Sequence, residues 1–283
     1  MWTEIISALH RYTDFELVKT ISVGGGCINQ AYRLQGKNNS YFVKLNQPSA
    51  VDMFRVEAFA LQEIYHTDTI KVPQPICWGA TDKHSYLILQ WLDMTKGNSQ
   101  GWQKMGQNLA LLHRVEGAEF GWGENNTIGT TPQINDYHHN WAEFFAEKRI
   151  GYQLKLARVK GAGFGNTEKI INAVYNQLST HQPQPSPLHG DLWGGNAGFL
   201  STNEPLIYDP AFYYGDREAD IAMTELFGGF PPAFYQGYNQ QWALNQGYQQ
   251  RKIIYNLYHI LNHFNLFGST YSAQAQAMIN QII

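Results

Sequence analysis

Short apolar runs, β-branched or aromatic and bounded by turn residues, dominate the first part of the chain. ISV (Ile21–Val23), AYRL (Ala31–Leu34) and YFVKL (Tyr41–Leu45) predict three strands. GGGCINQ joins the first two, and QGKNNS turns between the second and third. The spacing through about Thr13 predicts a short amphipathic helix before them, and VDMFRVEAFALQEIYH predicts a longer one after them. VPQPICWG and SYLILQWL then predict two further strands. After Leu92 the period lengthens. GWQKMGQNLALLHRV places Trp102, Met105, Leu109 and Leu112 on one helical face. WAEFFAEKRIGYQLKLARV, NTEKIINAVYNQLST, DREADIAMTELFGG, PPAFYQGYNQ and RKIIYNLYHILNHFNLFG predict more helices, and HQPQPSP is an extended connector. The expected architecture is α+β and bilobal. A small antiparallel β N-lobe covers residues 1–92, a hinge lies near Leu89–Asp93, and a larger, mainly helical C-lobe covers residues 93–283.

Composition narrows the function classes. At 283 residues with 43% hydrophobic content the chain is of ordinary globular type. A net charge of −3 leaves no electrostatic footprint for nucleic acid, so an anionic ligand must be held by a local site. Two cysteines, Cys27 and Cys77, suit a reducing compartment and form no disulfide framework. MWTEIISALHRY lacks the basic start of a signal peptide, and IIYNLYHILNHFNLF is too interrupted by Asn256, His259, Asn262 and His263 to span a bilayer. The expectation is a cytoplasmic protein with neither nucleic-acid nor membrane partners.

Chemistry concentrates in a few places. Consecutive glycines, Gly24, Gly25 and Gly26, let backbone amides approach an anion, although this is neither the GxGxxG spacing nor a Walker loop. Lys44 lies mid-strand, where a lysine ordinarily faces solvent. Glu57, however, shares an apolar helical stripe with Phe54, Leu61 and Ile64, and a carboxylate there needs a partner. A strand lysine paired with a helix glutamate is the device by which kinases place a lysine on nucleotide phosphates. LHGDLWGGN (Leu188–Asn196) carries Asp191 and Asn196 at the H-x-D-x-x-x-x-N spacing of a catalytic loop: a base and a magnesium ligand. LIYDP ends an apolar run on Asp209, where kinases hold a second metal ligand. Each residue alone has an ordinary reading as a cap or turn. His189 reads as packing that fixes the loop. The ordered set Gly24–Gly26, Lys44, Glu57, Asp191, Asn196 and Asp209 is much harder to obtain from caps and turns.

LHGDLWGGN, LIYDPAFYYGDREADIAM and LFGGFPPAFYQGYN resemble the fructosamine-3-kinase, or ketosamine-3-kinase, family, as do GGGCINQAYRL, YFVKLN and TPQINDYHHNWAEFFAEKRI. The likeness runs through nearly the whole chain. It implies a protein-kinase-like fold related to aminoglycoside and choline kinases. The implied activity is ATP- and Mg²⁺-dependent phosphorylation of the third-carbon hydroxyl of ketosamines, small or protein-bound, leading to deglycation. Carried onto this chain, Lys44 and Glu57 hold phosphates, Asp191 is the base, Asn196 and Asp209 bind magnesium, and the backbone of Gln90, Trp91 and Leu92 meets adenine. DPA replaces DFG and no APE segment follows Asp209, which argues against a protein kinase.

Trp193 beside the base, Asp216, Glu218 and His263 are candidates for the acceptor pocket. Asp216 and Glu218 also read as acids answering the dipole of the helix that GDREAD begins, and that reading carries more weight. Cys27 follows the glycines where converging amides and Lys44 would lower a thiol pKa. The resemblance implies a redox switch there, in some members through a disulfide-linked homodimer. An inert loop cysteine is the alternative. Two rival functions remain: a kinase of the same fold acting on an aminoglycoside, choline or another amino alcohol, and a non-catalytic nucleotide-binding module.

Overall fold

The computed structural model describes residues 1–24 and 28–283. The chain begins with α1 (Trp2–Leu9), β1 (Leu17–Val23), β2 (Gln30–Gly36), β3 (Ser40–Asn46), α2 (Val51–His66), β4 (Pro75–Ala80) and β5 (Ser85–Gln90). The strands form an antiparallel sheet of order β1-β2-β3-β5-β4. Strand alternation divides its two faces. Tyr41, Val43 and Leu45 of β3 and Tyr86 and Ile88 of β5 pack outward into a core with Ile5 and Leu9 of α1. Phe42, Leu87 and Leu89 face the other way, into the principal core, which also takes Phe54, Leu61 and Ile64 of α2. Lys44 shares that inward face, between Phe42 and the next inward position.

The chain leaves the sheet through residues 91–93 and at once forms β6 (Met94–Thr95), which pairs with a later strand of the larger lobe. Then come α3 (Ser99–His113), the hairpin β7 (Asn126–Ile128) and β8 (Thr131–Gln133), and α4 (Trp141–Phe144). The single helix expected over 141–159 is interrupted. Its backbone widens to a π-helical stretch over Phe145–Gly151 before α5 (Tyr152–Val159) resumes. Within that stretch Arg149 is buried against the rings of Phe144 and Tyr213, with its guanidinium donating to Ile134 O and Asn135 Oδ1.

α6 (Thr167–Leu178) leads to β9 (Ser186–Leu188), β10 (Ala197–Leu200), β11 (Pro205–Ile207) and β12 (Tyr213–Gly215). β10 pairs with β11 and β6, and β12 pairs with β9. α7 (Glu218–Leu226), α8 (Pro232–Trp242), α9 (Tyr248–Phe267) and α10 (Ser272–Ile282) complete the fold. α3 and α8 cross through glycines: a Cβ on Gly106 would stand 2.0 Å from Phe234 O, and one on Gly237 would stand 2.0 Å from Gln103 O. Only residues without a side chain allow that backbone approach. Among the described residues no helix is long and apolar enough to cross a membrane.

Candidate active site

Two small antiparallel pairings place the chemistry. The catalytic loop leaves β9 at Leu188 and enters β10 after Asn196, while Asp209 lies between β11 and β12. The pairings β9–β12 and β10–β11 hold the loop and the Asp209 segment side by side. Three cross-links complete the frame: Ala211 N–H donates to His189 O (2.8 Å), Tyr208 N–H to Asn196 O (3.0 Å) and His189 Nε2 to Tyr208 O (2.9 Å). Gly190 has φ +80°, and a Cβ there would meet Ala211 O at 2.0 Å. The glycine of HGD is therefore required by both backbone conformation and close approach.

Lys44 reaches this assembly from the sheet. Its ammonium donates to Glu57 Oε1 of α2 at 2.6 Å and to Asp209 Oδ1 at 2.6 Å. Burial alone would lower the lysine pKa, but the two carboxylates outweigh it and hold the ammonium well above its ordinary value. Burial pushes the Glu57 carboxyl up and Lys44 opposes it. Asp209 adopts φ +60°, a conformation unusual for a residue with a side chain, and its side chain is 44% exposed. Lys44 thus ties helix, sheet and metal-ligand candidate at one point.

Asp191 is raised to about 7, first by burial and then by the charge of Asp209. Asn196 donates through Nδ2 to Asp191 O (2.9 Å) and Asp191 Oδ2 (3.3 Å). Its Oδ1 makes no hydrogen bond among the described residues, so an oxygen ligand remains beside an exposed carboxylate. This donor set of hard oxygens suits magnesium. Trp193 is 41% exposed, and a Cβ on Gly195 would stand 2.3 Å from its indole. Gly195 therefore lets the ring lie across the loop backbone as an open apolar surface near the base.

The hinge needs one adjustment. Gln90 N–H donates to Gln74 O at 2.8 Å and is not free for a base. Trp91 and Leu92 make no backbone–backbone hydrogen bond among the described residues, so their amides, unlike that of Gln90, are open to adenine. The Trp91 indole donates to Asp93 Oδ1 and lies 4.6 Å from the Arg33 guanidinium.

The other pocket candidates divide. Asp216 and Glu218 are buried and their carboxylates are taken by the protein, which removes them from the acceptor pocket. Asp216 Oδ2 accepts from Tyr255 Oη (2.5 Å) and His181 Nε2 (2.8 Å), and its Oδ1 accepts the Glu218 amide at 3.1 Å. Glu218 is held by Arg251 Nε at 2.6 Å and Nη2 at 2.7 Å. His263 donates through Nδ1 to His259 O and packs against Phe227, Tyr271 and Phe267. Gly24 is exposed with open space where a Cβ would stand. The expectations for Gly25, Gly26 and Cys27 lie outside the described residues.

The pattern reading missed Asp220. This buried carboxylate accepts His189 N–H (2.7 Å), Gly190 N–H (2.8 Å) and His113 Nε2 (3.2 Å), so it anchors the catalytic loop from beneath. His113 in turn bonds Tyr238 Oη at 2.8 Å. The available signal was the one that singled out Glu57: an acid within an apolar helical run, here Ala219, Ile221 and Ala222.

The chain is similar to known proteins along its whole length. The sequence model of the fructosamine kinase family matches residues 1–283. A probable ketoamine kinase of Synechocystis is 53% identical over 100% of this chain and 97% of its own length. A chloroplastic protein-ribulosamine 3-kinase of Arabidopsis thaliana is 42% identical over 95% of this chain and 83% of its own. A solved structure of a candidate fructosamine-3-kinase from Haemophilus somnus superposes with a TM-score of 0.94 at 35% identity, covering 100% of this chain and 98% of that one. A choline kinase of Streptococcus pneumoniae, at 14% identity and a TM-score of 0.64 over 100% of this chain and 99% of that one, is alike in fold alone.

Proposed function

The chain belongs to the fructosamine kinase family, and from that premise we propose that it is an ATP-dependent ketosamine 3-kinase. The observation that carries the reading is Lys44 bridging Glu57 and Asp209 at 2.6 Å each, beside a loop whose Asp191 accepts from Asn196 Nδ2 at 3.3 Å. In that arrangement Asp191 orients the third-carbon hydroxyl of a ketosamine and takes its proton as the oxygen attacks the γ-phosphorus and ADP leaves. Lys44, fixed by Glu57, steadies the phosphates. Magnesium, held by Asp209 and Asn196, would neutralise charge on them. Trp91 and Leu92 offer backbone groups to adenine, and Trp193 offers an apolar wall for the acceptor. Most of the catalysis is positioning and electrostatics, so a rigid frame matters more than an unusual side chain. Phosphate on the third carbon of the product, next to the carbonyl, is a leaving group: loss of a proton from the first carbon expels it as inorganic phosphate, and water then hydrolyses the resulting imine to release the amine.

The deciding experiment measures magnesium-dependent ADP formation with fructose-lysine and ribulose-lysine, free and on a glycated protein, against choline and an aminoglycoside. Turnover confined to the ketosamines supports the proposal. Turnover confined to choline or the aminoglycoside would replace it with the amino-alcohol reading, and nucleotide binding with no turnover on any acceptor would replace it with a non-catalytic module.

A further inference from the structure

The hairpin β7–β8 concentrates polar side chains that no step of the proposed chemistry uses. Gln133, buried in β8, donates through Nε2 to Ala211 O at 3.0 Å and to Asn126 Oδ1 at 2.8 Å. Asn126 in β7 donates to Phe212 O at 2.8 Å. Both acceptor carbonyls lie in the segment that follows Asp209. Just before β7, at the same open end of the hairpin, Glu124 forms a two-pronged pair with Arg55 of α2, Nη1 to Oε1 at 2.9 Å and Nη2 to Oε2 at 3.1 Å. Asn135, just after β8, joins the two contacts by donating to both Glu124 O (3.0 Å) and Asn126 Oδ1 (2.9 Å).

We infer that this hairpin is a clamp that holds α2, and with it Glu57, in register with the Asp209 segment, making Arg55, Glu124, Asn126 and Gln133 positioning residues for the phosphate site. The reason is geometric. Lys44 can bridge Glu57 and Asp209 only while α2 and the segment from Asp209 keep their separation. The sheet fixes Lys44, but the pairings of β3 and β5 fix neither α2 nor Asp209. The hairpin bonds both. Carbonyls bonded by Gln133 and Asn126 cannot rotate away, which also restrains the left-handed backbone of Asp209 immediately before them. A planar guanidinium held at both nitrogens fixes direction as well as distance. The inference rests on the kinase reading for its consequence in rate, but not for the coupling itself.

The coupling is read without activity, by hydrogen exchange on the full-length protein. Glu124→Arg places two cations together on a partly exposed pair, 32% and 37% accessible in the wild type, so the fold should survive with little change in melting temperature. Exchange should quicken at least fivefold both in α2 and in residues 209–215, to which Glu124 makes no hydrogen bond. The double variant Arg55→Glu/Glu124→Arg restores the pair in reverse and should restore both segments. Gln133→Leu, on the side bonded to the Asp209 segment, should loosen α2 in turn. In the active enzyme Glu124→Arg should reduce kcat about tenfold, with recovery in the double variant and little change in KM for the acceptor. Loosening confined to α2 in Glu124→Arg, or no recovery in the reversed pair, would overturn the clamp. Coupled loosening in a protein that turns over no ketosamine would sustain the clamp and count only against the substrate reading.

Discussion

Replacing Asp191 by asparagine should stabilise the nucleotide-free protein at pH 8 while abolishing turnover. Burial, and then the neighbouring charge of Asp209, raises the Asp191 carboxyl from an ordinary 3.8 to about 7. A carboxyl raised in the fold contributes stability that is fully present below pH 3.8 and is lost as pH climbs through 7. At pH 8 the native protein therefore carries a charge that its surroundings resist, at about 4 kcal/mol by 2.303RT per pH unit. Asp191 is only partly buried, so water screens the charge and about 2–4 kcal/mol is the expected range. Asparagine keeps the shape, can turn its oxygen toward Asn196 Nδ2, and carries no charge.

Unfolding entropy of about 2.1 cal/mol/K per residue converts each kcal/mol into about 1.7 °C for a chain of this length. The gain should be about 3–7 °C at pH 8 and should shrink to about 1 °C at pH 4, where the unfolded carboxyl is itself half protonated. Scanning calorimetry of both proteins in chelator, across that pH range, reads it directly. A gain that does not change with pH, or a loss at pH 8, would refute the electrostatic reasoning. Turnover should fall more than about 1000-fold in the variant, and the wild-type rate at limiting substrate should decline toward acid as the base is protonated.

Lys44→Met leaves two carboxylates facing each other without their cation; nucleotide affinity should drop at least tenfold by calorimetric titration, with about 3 kcal/mol of stability lost in urea unfolding. Gly190→Ala forces a Cβ against Ala211 O at a left-handed φ, and should remove activity with a melting-temperature loss of several degrees. Asp220→Asn keeps the shape but removes the charge that receives the His189 and Gly190 amides; kcat should fall about 10–100-fold with KM for ATP nearly unchanged. Burial raises the Cys77 thiol to about 11, so it should resist iodoacetamide at pH 8 in the native protein and label only after unfolding, as peptide mass mapping would show.

The residues legible in sequence were those whose type conflicts with their surroundings. Glu57 on an apolar stripe demanded a buried cation, and the structure supplies Lys44. The five strands and α2 were legible because alternation and helical period are local, and both faces of the sheet bury apolar side chains. What was not legible is long-range or weakly patterned. β6, β9, β10 and β12 are too short to alternate, whereas β11 showed as the apolar run that leads to Asp209. α10 buries only Ala275, Ile279 and Ile282 and reads as polar sequence. Asp216 and Glu218 were legible as acids, but the partners that take them, Tyr255, His181 and Arg251, lie elsewhere in the chain, and no local pattern assigns them.

The segment after Asp209 explains why so much polar structure sits away from the chemistry. Only Pro210, Ala211 and Phe212 separate Asp209 from β12, which pairs at once with the strand that leads into the catalytic loop. There is no room there for a segment whose ordering could switch the lysine–glutamate pair on and off, as the activation loop of a protein kinase does. The pair must then be held by fixed packing at all times. Asp220 supplies that from below the catalytic loop, and Gln133 and Asn126 supply it at the carbonyls beyond Asp209. An enzyme built this way gives up control through loop phosphorylation and gains a site assembled before substrate arrives. Variation in its rate should therefore arise from the elements that bridge α2 to the larger lobe, the Arg55–Glu124 pair first among them.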